Sequence, residues 1–495
     1  MDQFVTIVAL VGLVIVVASL LSGATERTAI PLVAVFLALG AALGPWGFGL
    51  IEIGFDSPAL RTLATLALAL VLFSDAVTID VVQVRTWKRL AWRVLGPGTL
   101  LPAALIAIAA RYLLDVPLAG AAILGAALAS TDPVLLRTML RSRALSPGPR
   151  IALRLESGMN DVVLLPIVVI GMLLLLASTP GHESLSSREL GRHLMGLFLL
   201  GPALGATVGY VGIVLLGHIR DRVGVRRDYE SMYALGLAFT GYAAAEAVGG
   251  SGFLAAFAAG FMVASQDVEL CDCFLEYGEA TAEMLLLLTF VALGTSLIWS
   301  GLTVINASTL GFAAVALFIR TLVLYPMLRN VGLDQRERKL VALFGPRGLS
   351  TLLFMLLPVF AGVPGSHGLF TIACLVTLLS VIIHGGGMAF YLRANTPAAA
   401  PVVAADQNRA PATRASEQPA GLAAAELPEK IGLEEARELM ANAEPAIFVD
   451  ARTDKSYRAD PRLPAGAVRL PPDDPVRSAT EQRLSQRSTL VVYCA

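Results

Sequence analysis

Charged residues are scarce in this sequence. Only 15% of its 495 residues are Asp, Glu, Lys or Arg, whereas 56% are hydrophobic, and the mean hydropathy is +0.71. A water-soluble globular protein carries about 25% charged residues and does not bury this much apolar side chain. The scarcity of charge therefore excludes a soluble globular domain for most of the chain. A lipid bilayer is predicted to surround it.

Cysteine is also rare, and neither sign of charge dominates. The four cysteines, Cys271, Cys273, Cys374 and Cys494, are too few and too scattered for a disulfide framework. The Cys-x-Cys spacing of the first two is a weak signal for a metal site. A net charge of −1 and a pI near 6.5 give no indication of nucleic acid binding. Neither a disulfide scaffold nor a nucleic acid partner is therefore expected.

Hydrophobic runs follow one another through the first 393 residues. A bilayer core of about 30 Å requires about 20 apolar residues per helix, and on this criterion we predict about thirteen crossings. They cover residues 3–22, 29–53, 59–78, 91–113, 118–140, 151–177, 193–217, 230–248, 252–265, 281–299, 305–328, 339–361 and 368–392. The first run lacks a basic segment before it and is too long for a signal peptide, so we predict that it is a transmembrane helix.

Basic residues cluster in alternate loops between these runs. The clusters are Arg85, Lys88, Arg89 and Arg93; Arg137, Arg141, Arg143 and Arg150; Arg220, Arg222, Arg226 and Arg227; and Arg329, Arg336, Arg338 and Lys339. The positive-inside rule predicts that these loops are cytoplasmic. An odd number of crossings then places the N-terminus outside the cell membrane and the C-terminus in the cytoplasm.

The composition changes after residue 393. Residues 394–427 are rich in Ala, Pro and Gln and have no hydrophobic period, which predicts a flexible linker. Residues 428–495 have the pattern of a small α/β unit, with strand-like runs at 446–449 and 489–493. The domain prediction is therefore a membrane domain over 1–393, a linker, and a cytoplasmic α/β tail.

Ionisable residues within the predicted spans are concentrated in three motifs. The fifth span contains Ser-Thr-Asp-Pro at 130–133, the sixth contains Glu-Ser-Gly-Met-Asn-Asp at 156–161, and the twelfth contains Gly-Pro-Arg-Gly at 345–348. A charged side chain in the middle of a bilayer costs at least about 2.5 kcal/mol, so each of these residues is a candidate for function. Asp75, near the end of the third span, is predicted to lie at the membrane interface instead.

Two prolines are predicted to interrupt these helices. Pro133 and Pro346 cannot donate a backbone hydrogen bond, so each frees carbonyl groups at membrane depth. Interrupted helices in both halves of a chain are typical of transporters built from inverted repeats. Hard alkali cations prefer oxygen ligands, which Asp161, Ser157 and Thr131 could supply with water. Asp132 is placed to neutralise the positive end of a half-helix.

The three motifs, in this order, resemble those of the NhaP-type sodium/proton antiporters of the cation:proton antiporter superfamily. The resemblance covers about 390 residues and implies a fold of thirteen helices in inverted repeats, with two interrupted helices that cross. It also implies that Asp161 binds Na⁺ and H⁺ in competition. Asn160 stands where electrogenic relatives carry a second aspartate, which implies electroneutral exchange of one cation for one proton. A homodimer is implied as well.

The resemblance also implies roles for the neighbouring residues. Thr131, Ser157 and Asp132 would help to hold the ion. Glu156 would pair with Arg347 to brace the core, and Asn160 would orient Thr131 and the crossed segments. No cofactor and no enzymatic reaction is implied.

The tail resembles a rhodanese-like domain over residues 431–495. The resemblance rests on Asp450-Ala451-Arg452, on Pro464-Ala465-Gly466-Ala467, and on Val491-Val492-Tyr493-Cys494. In that family the cysteine after the strand is the sulfur-carrying nucleophile, and the loop that follows cradles its thiolate. The sequence ends at Ala495, so Cys494 is expected to be a vestigial sulfur carrier without activity.

Several alternatives stay open at this point. Asp161 could be a structural carboxylate paired with Arg347, Thr131 could bond only to its own helix, and Asp132 could cap a helix without touching the ion. The transported ion could be K⁺ instead of Na⁺ or Li⁺. From other classes, the chain could be a membrane-anchored sulfurtransferase or redox sensor, or a passive channel. Buried carboxylates would not serve a mere anchor, and paired broken helices favour alternating access over an open pore.

Overall fold

Helices make up nearly all of the hydrophobic part of the chain. The computed structural model describes residues 11–20, 32–79, 84, 86–141, 145–178, 186–225, 227–266, 272–329, 331–395, 447–452, 466–470, 479, 482 and 490–493. The chain divides into two units, Met1–Ala400 and Pro401–Ala495, and each is described by itself.

The described α-helices of the first unit are numbered in chain order. They are α1 (Val11–Leu20), α2 (Leu32–Leu43), α3 (Pro58–Val77), α4 (Lys88–Leu95), α5 (Pro97–Leu113), α6 (Leu118–Ala129), α7 (Pro133–Arg141), α8 (Pro147–Ala177), α9 (Ser187–Met195), α10 (Gly201–Arg222), α11 (Arg227–Ala247), α12 (Gly252–Ser265), α13 (Asp272–Thr295), α14 (Ala307–Met327), α15 (Gln335–Leu343), α16 (Leu349–Phe360), α17 (Ser366–Ser380) and α18 (Gly386–Asn395). Short π-helical segments over Gly196–Leu200 and Val381–Gly385 join α9 to α10 and α17 to α18, and a 3₁₀-helix covers Leu297–Val304.

Eight apolar helical stretches are long enough to cross a bilayer, and four shorter apolar helices accompany them within the described residues. Together with α11, they give every predicted crossing a helical counterpart. The prediction of an all-α polytopic membrane protein is therefore confirmed for the part of the chain that the structure describes. The second predicted crossing is shorter than expected: α2 ends at Leu43, because Gly44 and Pro45 begin a turn that replaces the helix up to residue 53.

The helices pack in two groups. The first helix group contains α2, α3 and α10–α13, and the second contains α4–α8 and α14–α17. Small residues allow close approach within the first group: a side-chain Cβ added at Gly260 of α12 would collide with the carbonyl oxygen of Phe73 in α3. The two groups meet where α3 of the first lies against α8 and α16 of the second.

Two membrane-spanning segments of the second helix group are interrupted, as predicted. The first breaks between α6 and α7 at residues 130–132, and the second breaks between α15 and α16 at residues 344–348. Pro133 begins α7, where a missing N–H group costs nothing. The two breaks are in contact, since the N–H of Asp132 donates to the carbonyl of Pro346 at 3.0 Å.

The second unit contains a parallel three-stranded sheet in the order β2-β1-β3. The strands are β1 (Ile447–Asp450), β2 (Val468–Arg469) and β3 (Leu490–Tyr493), with Val449 opposite Val468 and Val492. Both predicted strands are present. Arg452 donates to the buried carboxylate of Asp450 and holds the pKa of that group below its usual range. Cys494 and residues 396–427 of the predicted linker lie outside the described residues.

Candidate ion-binding site

Asp161 is completely buried where the two interrupted helices meet. It lies near the middle of α8, and its Oδ1 accepts a hydrogen bond of 2.5 Å from the hydroxyl of Ser130 in the first break. Ser350, at the start of α16, is close enough to interact with the same carboxyl group. Oδ2 has no hydrogen-bond partner among the described residues. Arg347 does not pair with Asp161, so the alternative of a structural pair between them is wrong.

Asn160 connects α8 to the first break. Its side-chain amide donates to the hydroxyl of Thr131 at 2.8 Å, and both residues are buried. This bond agrees with the prediction that Asn160 orients Thr131, and it shows that Thr131 does more than bond to its own helix. The amide oxygen of Asn160 has no partner among the described residues. Asn160 therefore has an acceptor available at the crossing, one residue before Asp161.

Asp132 caps two half-helices at once. Its Oδ1 accepts from the N–H groups of Val134, at 2.8 Å, and Leu135, at 3.4 Å, in the first turn of α7. Its Oδ2 accepts from the N–H of Leu349, the first residue of α16, at 2.5 Å. A carboxylate at a helix N-terminus stabilises the unpaired N–H groups and the positive end of the dipole. The structure therefore favours capping over direct ion ligation by Asp132.

Gly348 makes this double cap possible. An ideal Cβ built at Gly348 would overlap the Asp132 carboxylate. Only a residue without a side chain lets the carboxylate approach the N-terminus of α16 this closely. The glycine that follows Arg347 in the third motif is therefore a steric requirement of the crossing.

Arg347 caps the C-terminus of α6, whereas Asp132 caps helix N-termini. Its guanidinium donates to the carbonyl oxygens of Ala129, at 2.8 Å, and Ser130, at 3.0 Å, and the side chain is fully buried. A cation at a helix C-terminus satisfies carbonyl groups that lack intrahelical partners. The carbonyls freed before Pro133 are therefore bound to Arg347 and are not available to a cation.

The partner of Glu156 is Arg320, which corrects the predicted pair with Arg347. Arg320 of α14 donates to both oxygens of Glu156, at 2.6 and 2.5 Å, and both side chains are buried. The same guanidinium also donates to the carbonyls of Val341 and Ala342 at the end of α15. Arg320 therefore caps the second interrupted helix much as Arg347 caps the first, and Glu156 balances its charge.

A cavity of about 160 Å³ approaches Asp161 from one end of the bundle. We call it the Asp75 cavity. It is lined by parts of α3, α7, α8 and α13, and it reaches Ser157 and Gly158, about one helical turn from Asp161. Asp75 faces it, and Oδ2 of Asp75 is buried without a hydrogen-bond partner among the described residues. Asp75 thus lines the cavity that leads to Asp161, a place that its position near the end of a span does not indicate.

A second cavity, of about 360 Å³, lies at the other end. This Tyr242 cavity is lined by Tyr242, by the N-terminal part of α3 and by Val169 and Leu173 in the C-terminal part of α8. The Asp75 cavity uses the opposite ends of the same two helices. Buried Leu164, Leu165 and Val168 separate Asp161 from the Tyr242 cavity. Asp161 is therefore close to the Asp75 cavity and closed off from the other.

The chemistry of the unpartnered atoms fits a small alkali cation. The available acceptors around α8 are all oxygens, from Asp161, Asn160 and Asp75, and Ser157 adds a hydroxyl beside them. Oxygen ligands suit hard cations, whereas transition metals prefer nitrogen and sulfur. The described residues contain no group of three or more His, Cys, Asp or Glu placed to hold a metal ion. The unpartnered oxygens can accept either a proton or a small cation.

Sequence reasoning missed four residues of this arrangement. The place of Asp75 near a span end indicates only an interfacial residue, and nothing in the sequence indicates that the hydroxyl of Ser130 bonds to Asp161. Arg320 had a clear signal, since it is a lone arginine within the apolar run 305–328. Ser350 had none, because a serine in an apolar helix usually bonds to its own backbone.

Comparison with known proteins identifies relatives of the membrane unit. Residues 12–394 match the sequence profile of a family described as "sodium/hydrogen exchanger, transmembrane". The chain is 25% identical over 387 residues to the K⁺/H⁺ antiporter NhaP of Alkalimonas amylolytica, and 26% identical over 386 residues to the K⁺/H⁺ antiporter NhaP2 of Shewanella sp. strain ANA-3. These matches cover 77% and 76% of this chain but 65% of each relative's own length.

A solved structure shares the fold. The sodium proton antiporter MjNhaP1 of Methanocaldococcus jannaschii matches with a TM-score of 0.61 and 22% identity, over 78% of this chain and 100% of that one. At this identity the likeness concerns the fold alone. It agrees with the polytopic helical architecture described above.

Proposed function

Because the chain belongs to the sodium/hydrogen exchanger family, we propose that it is a secondary transporter that exchanges Na⁺ or Li⁺ for H⁺ by alternating access. The observation that carries this proposal is the uncompensated charge of Asp161. Among the three carboxylates of the crossing, Glu156 is neutralised by Arg320 and Asp132 by two helix N-termini. Within the part of the chain that the structure describes, Asp161 has only hydroxyl groups as hydrogen-bond partners, those of Ser130 and Ser350. A buried carboxylate in this position requires either a proton or a cation.

The competition between these two partners supplies the exchange. When the Asp75 cavity admits a cation, the cation binds Asp161 with help from Ser157 and Thr131, and the proton leaves. In the other state a proton replaces the cation. Crossing between the two states with an empty, charged Asp161 would bury an unpaired charge, which is energetically costly. Only the occupied forms therefore cross, and transport in the two directions is coupled.

The exchange is proposed to be electroneutral. Asn160 is neutral and bonds to Thr131, so it adds no second charge to the site. Asp161, as the carboxylate that exchanges its partner, binds one proton or one monovalent cation. One cation is therefore exchanged for one proton, and no net charge moves in a cycle.

K⁺/H⁺ exchange is the second candidate. Its support is that both relatives named above are called K⁺/H⁺ antiporters. An oxygen site of the kind described binds either ion, and the selectivity depends on the size of the cavity and the number of ligands that surround the ion. The residues proposed to bind the ion are the same in both cases.

We also propose the setting in which the transporter works. The basic loops place the Asp75 cavity, lined by Arg137 and Arg154, on the cytoplasmic side of the cell membrane. The N-terminus would then lie outside and the C-terminus inside, and the transporter would serve pH homeostasis as a homodimer. The tail is proposed to be a rhodanese-like unit, joined to the membrane domain by the linker 394–427.

Proteoliposomes with an imposed pH gradient test the proposal. Addition of Na⁺ or Li⁺ should dissipate the gradient at the same rate whether the membrane potential is clamped or free, and Asp161→Asn should abolish the response. Asp115→Asn, a change of an exposed aspartate at the end of α5, is the matched control and should behave as wild type. If only K⁺ dissipates the gradient, the transported cation is K⁺ and the proposed binding residues remain the same. If no cation does, or if Asp161→Asn is fully active, the proposal is wrong.

A further inference from the structure

An ion pair stands inside the Asp75 cavity. Arg137 of α7 donates to a carboxylate oxygen of Glu283 in α13, and the side chains are 24% and 26% exposed. Both residues line the cavity, together with Asp75 and Glu279. The pair therefore lies beside the path that leads from the cavity mouth to Ser157 and Asp161.

The two partners come from different helix groups. Arg137 extends from α7, which begins at Pro133, immediately after the Asp132 cap, and packs against α8 in the second helix group. Glu283 lies on α13, which packs against α2, α3 and α11 in the first helix group. The pair thus joins the half-helix that carries part of the site to the opposite wall of the cavity.

Arg137 is a fixed positive charge close to the carboxylates of the site. Its guanidinium is near enough to act electrostatically on both Asp75 and Asp132. A positive charge in a partly enclosed cavity repels an incoming cation, and solvent screens it less than on an open surface. Glu283 opposes that repulsion in two ways: it cancels the charge of Arg137, and it holds the guanidinium against α13.

We propose that the Arg137–Glu283 pair sets the affinity of the cavity-facing site for its cation. Glu283 is a positioning residue that keeps Arg137 neutralised and away from the path, and Arg137 keeps Glu283 from binding the cation itself. The balance gives the cavity enough negative charge to attract a monovalent cation and too little to retain it. This inference rests on the proposed exchange and adds a residue pair that tunes it.

The pair predicts opposite effects of two single substitutions on KM. Glu283→Gln leaves Arg137 without its counter-charge and should raise KM for Na⁺ about three- to tenfold. Arg137→Gln leaves Glu283 free and should lower KM by a similar factor. The double variant Arg137→Gln/Glu283→Gln should return KM to near the wild-type value. A pair that served only to hold the helices together would instead impair both single variants in the same direction.

The measurement is cation-dependent proton exchange in everted and right-side-out membrane vesicles, at fixed pH and at an ionic strength held constant with an impermeant organic cation. KM should change when the cation is added on the side of the membrane to which the Asp75 cavity opens. Arg137→Lys, which keeps the charge, should retain the wild-type KM. Arg111→Gln removes the cation of an exposed ion pair at the end of α5 and is the matched control, for which KM should not change.

Three results overturn the inference. They are KM shifts of the same sign in both single variants, unchanged KM values in folded and active variants, and a KM for Arg137→Lys as low as that for Arg137→Gln. If one of the Gln variants does not fold, the other and Arg137→Lys still decide the question. A wild-type protein without any cation-dependent exchange would refute the proposed function itself, which separates the two failures.

Discussion

The buried charges of the helix crossing divide into those that bond to helix ends or to each other and one, Asp161, that does neither. Arg347 and Arg320 satisfy the C-terminal carbonyls of α6 and α15, while Asp132 satisfies the N-termini of α7 and α16. Glu156 balances Arg320. Each of these groups is hydrogen-bonded either to a helix end or to a group of opposite charge, which lowers the cost of burying it. Ionised Asp161 has neither kind of bond among the described residues, and that lack makes it suitable for exchange.

The ion pair between Glu156 and Arg320 gives a prediction at this scale. Arg320→Gln leaves a carboxylate buried without a counter-charge and frees two carbonyls at the end of α15. The expected loss is about 3–5 kcal/mol of stability. Thermal unfolding in detergent, followed by size-exclusion chromatography, should show a much lower midpoint than wild type. Arg111→Gln, in an exposed pair, should change the midpoint little. Equal midpoints for Arg320→Gln and wild type would contradict the bracing role.

Single residues were predictable where the signal was local. Asp161 and Asn160 could be found because polar side chains within an apolar run are expensive, and the bond from Asn160 to Thr131 agrees with the expected orientation. The partner of Glu156 could not be found in the same way. Two arginines are buried near the crossing, and the choice between them depends on where α14 passes, which no spacing within the sequence encodes.

At the scale of helices, the crossing is built from half-helices whose ends are neutralised by side chains of other segments. Neither break could remain in a bilayer with open N–H and C=O groups. Asp132 serves two N-termini because the N–H of Asp132 also bonds to Pro346, which brings the two breaks together. The crossing is therefore one cooperative unit, and a substitution at one break should alter the structure of the other.

A substitution at Gly348 tests whether the crossing behaves as one cooperative unit. Gly348→Ala places a methyl group where the Asp132 carboxylate lies, so the cap on α16 must open. We expect a loss of about 2 kcal/mol of stability and strongly reduced exchange. The matched control is Gly386→Ala in α18, whose added Cβ would meet no atom within 4 Å, and which should be neutral or slightly stabilising. Thermal midpoints and proteoliposome rates of the two variants decide the matter; similar values for both would contradict the crossing described here.

Helix breaks were predictable from the sequence because a proline inside a helix removes a backbone hydrogen bond and clashes with the preceding turn. Pro133 and Pro346 both lie at breaks, and the runs of apolar residues located the helices well. The extent of α2 was predicted less well. The apolar run through residue 53 continues past Gly44 and Pro45, and hydrophobicity alone does not distinguish a helix from the turn that follows it.

At the scale of the molecule, two cavities at opposite ends use the two ends of α3 and α8. Only the Asp75 cavity comes within about one helical turn of Asp161. At the end that holds the Tyr242 cavity, the guanidinium of Arg61 in α3 lies over the ring of Phe360 in α16, 5.8 Å from its centre. This contact joins the two helix groups. The arrangement fits one state of the alternating-access cycle proposed above. Composition predicted a membrane protein, but cavities depend on packing and could not be predicted.

The division of the chain into two units gives a prediction at the same scale. All residues proposed to bind the ion lie in Met1–Ala400. A protein truncated after Ala400 should therefore retain cation-dependent proton exchange at a rate within about twofold of the full chain. Loss of exchange on truncation, with the membrane unit still folded, would mean that the tail contributes to transport.

Competition between a proton and a cation at Asp161 is the central claim, and proton release on cation binding measures it directly. Addition of Na⁺ to the purified protein in weakly buffered detergent should release about one proton per chain at a pH where Asp161 is protonated, and none where it is already ionised. Li⁺ should act likewise, and Asp161→Asn should release no proton at any pH. Release that persists in Asp161→Asn, or its absence from the wild-type protein across the whole pH series with Na⁺, Li⁺ and K⁺, would contradict the account.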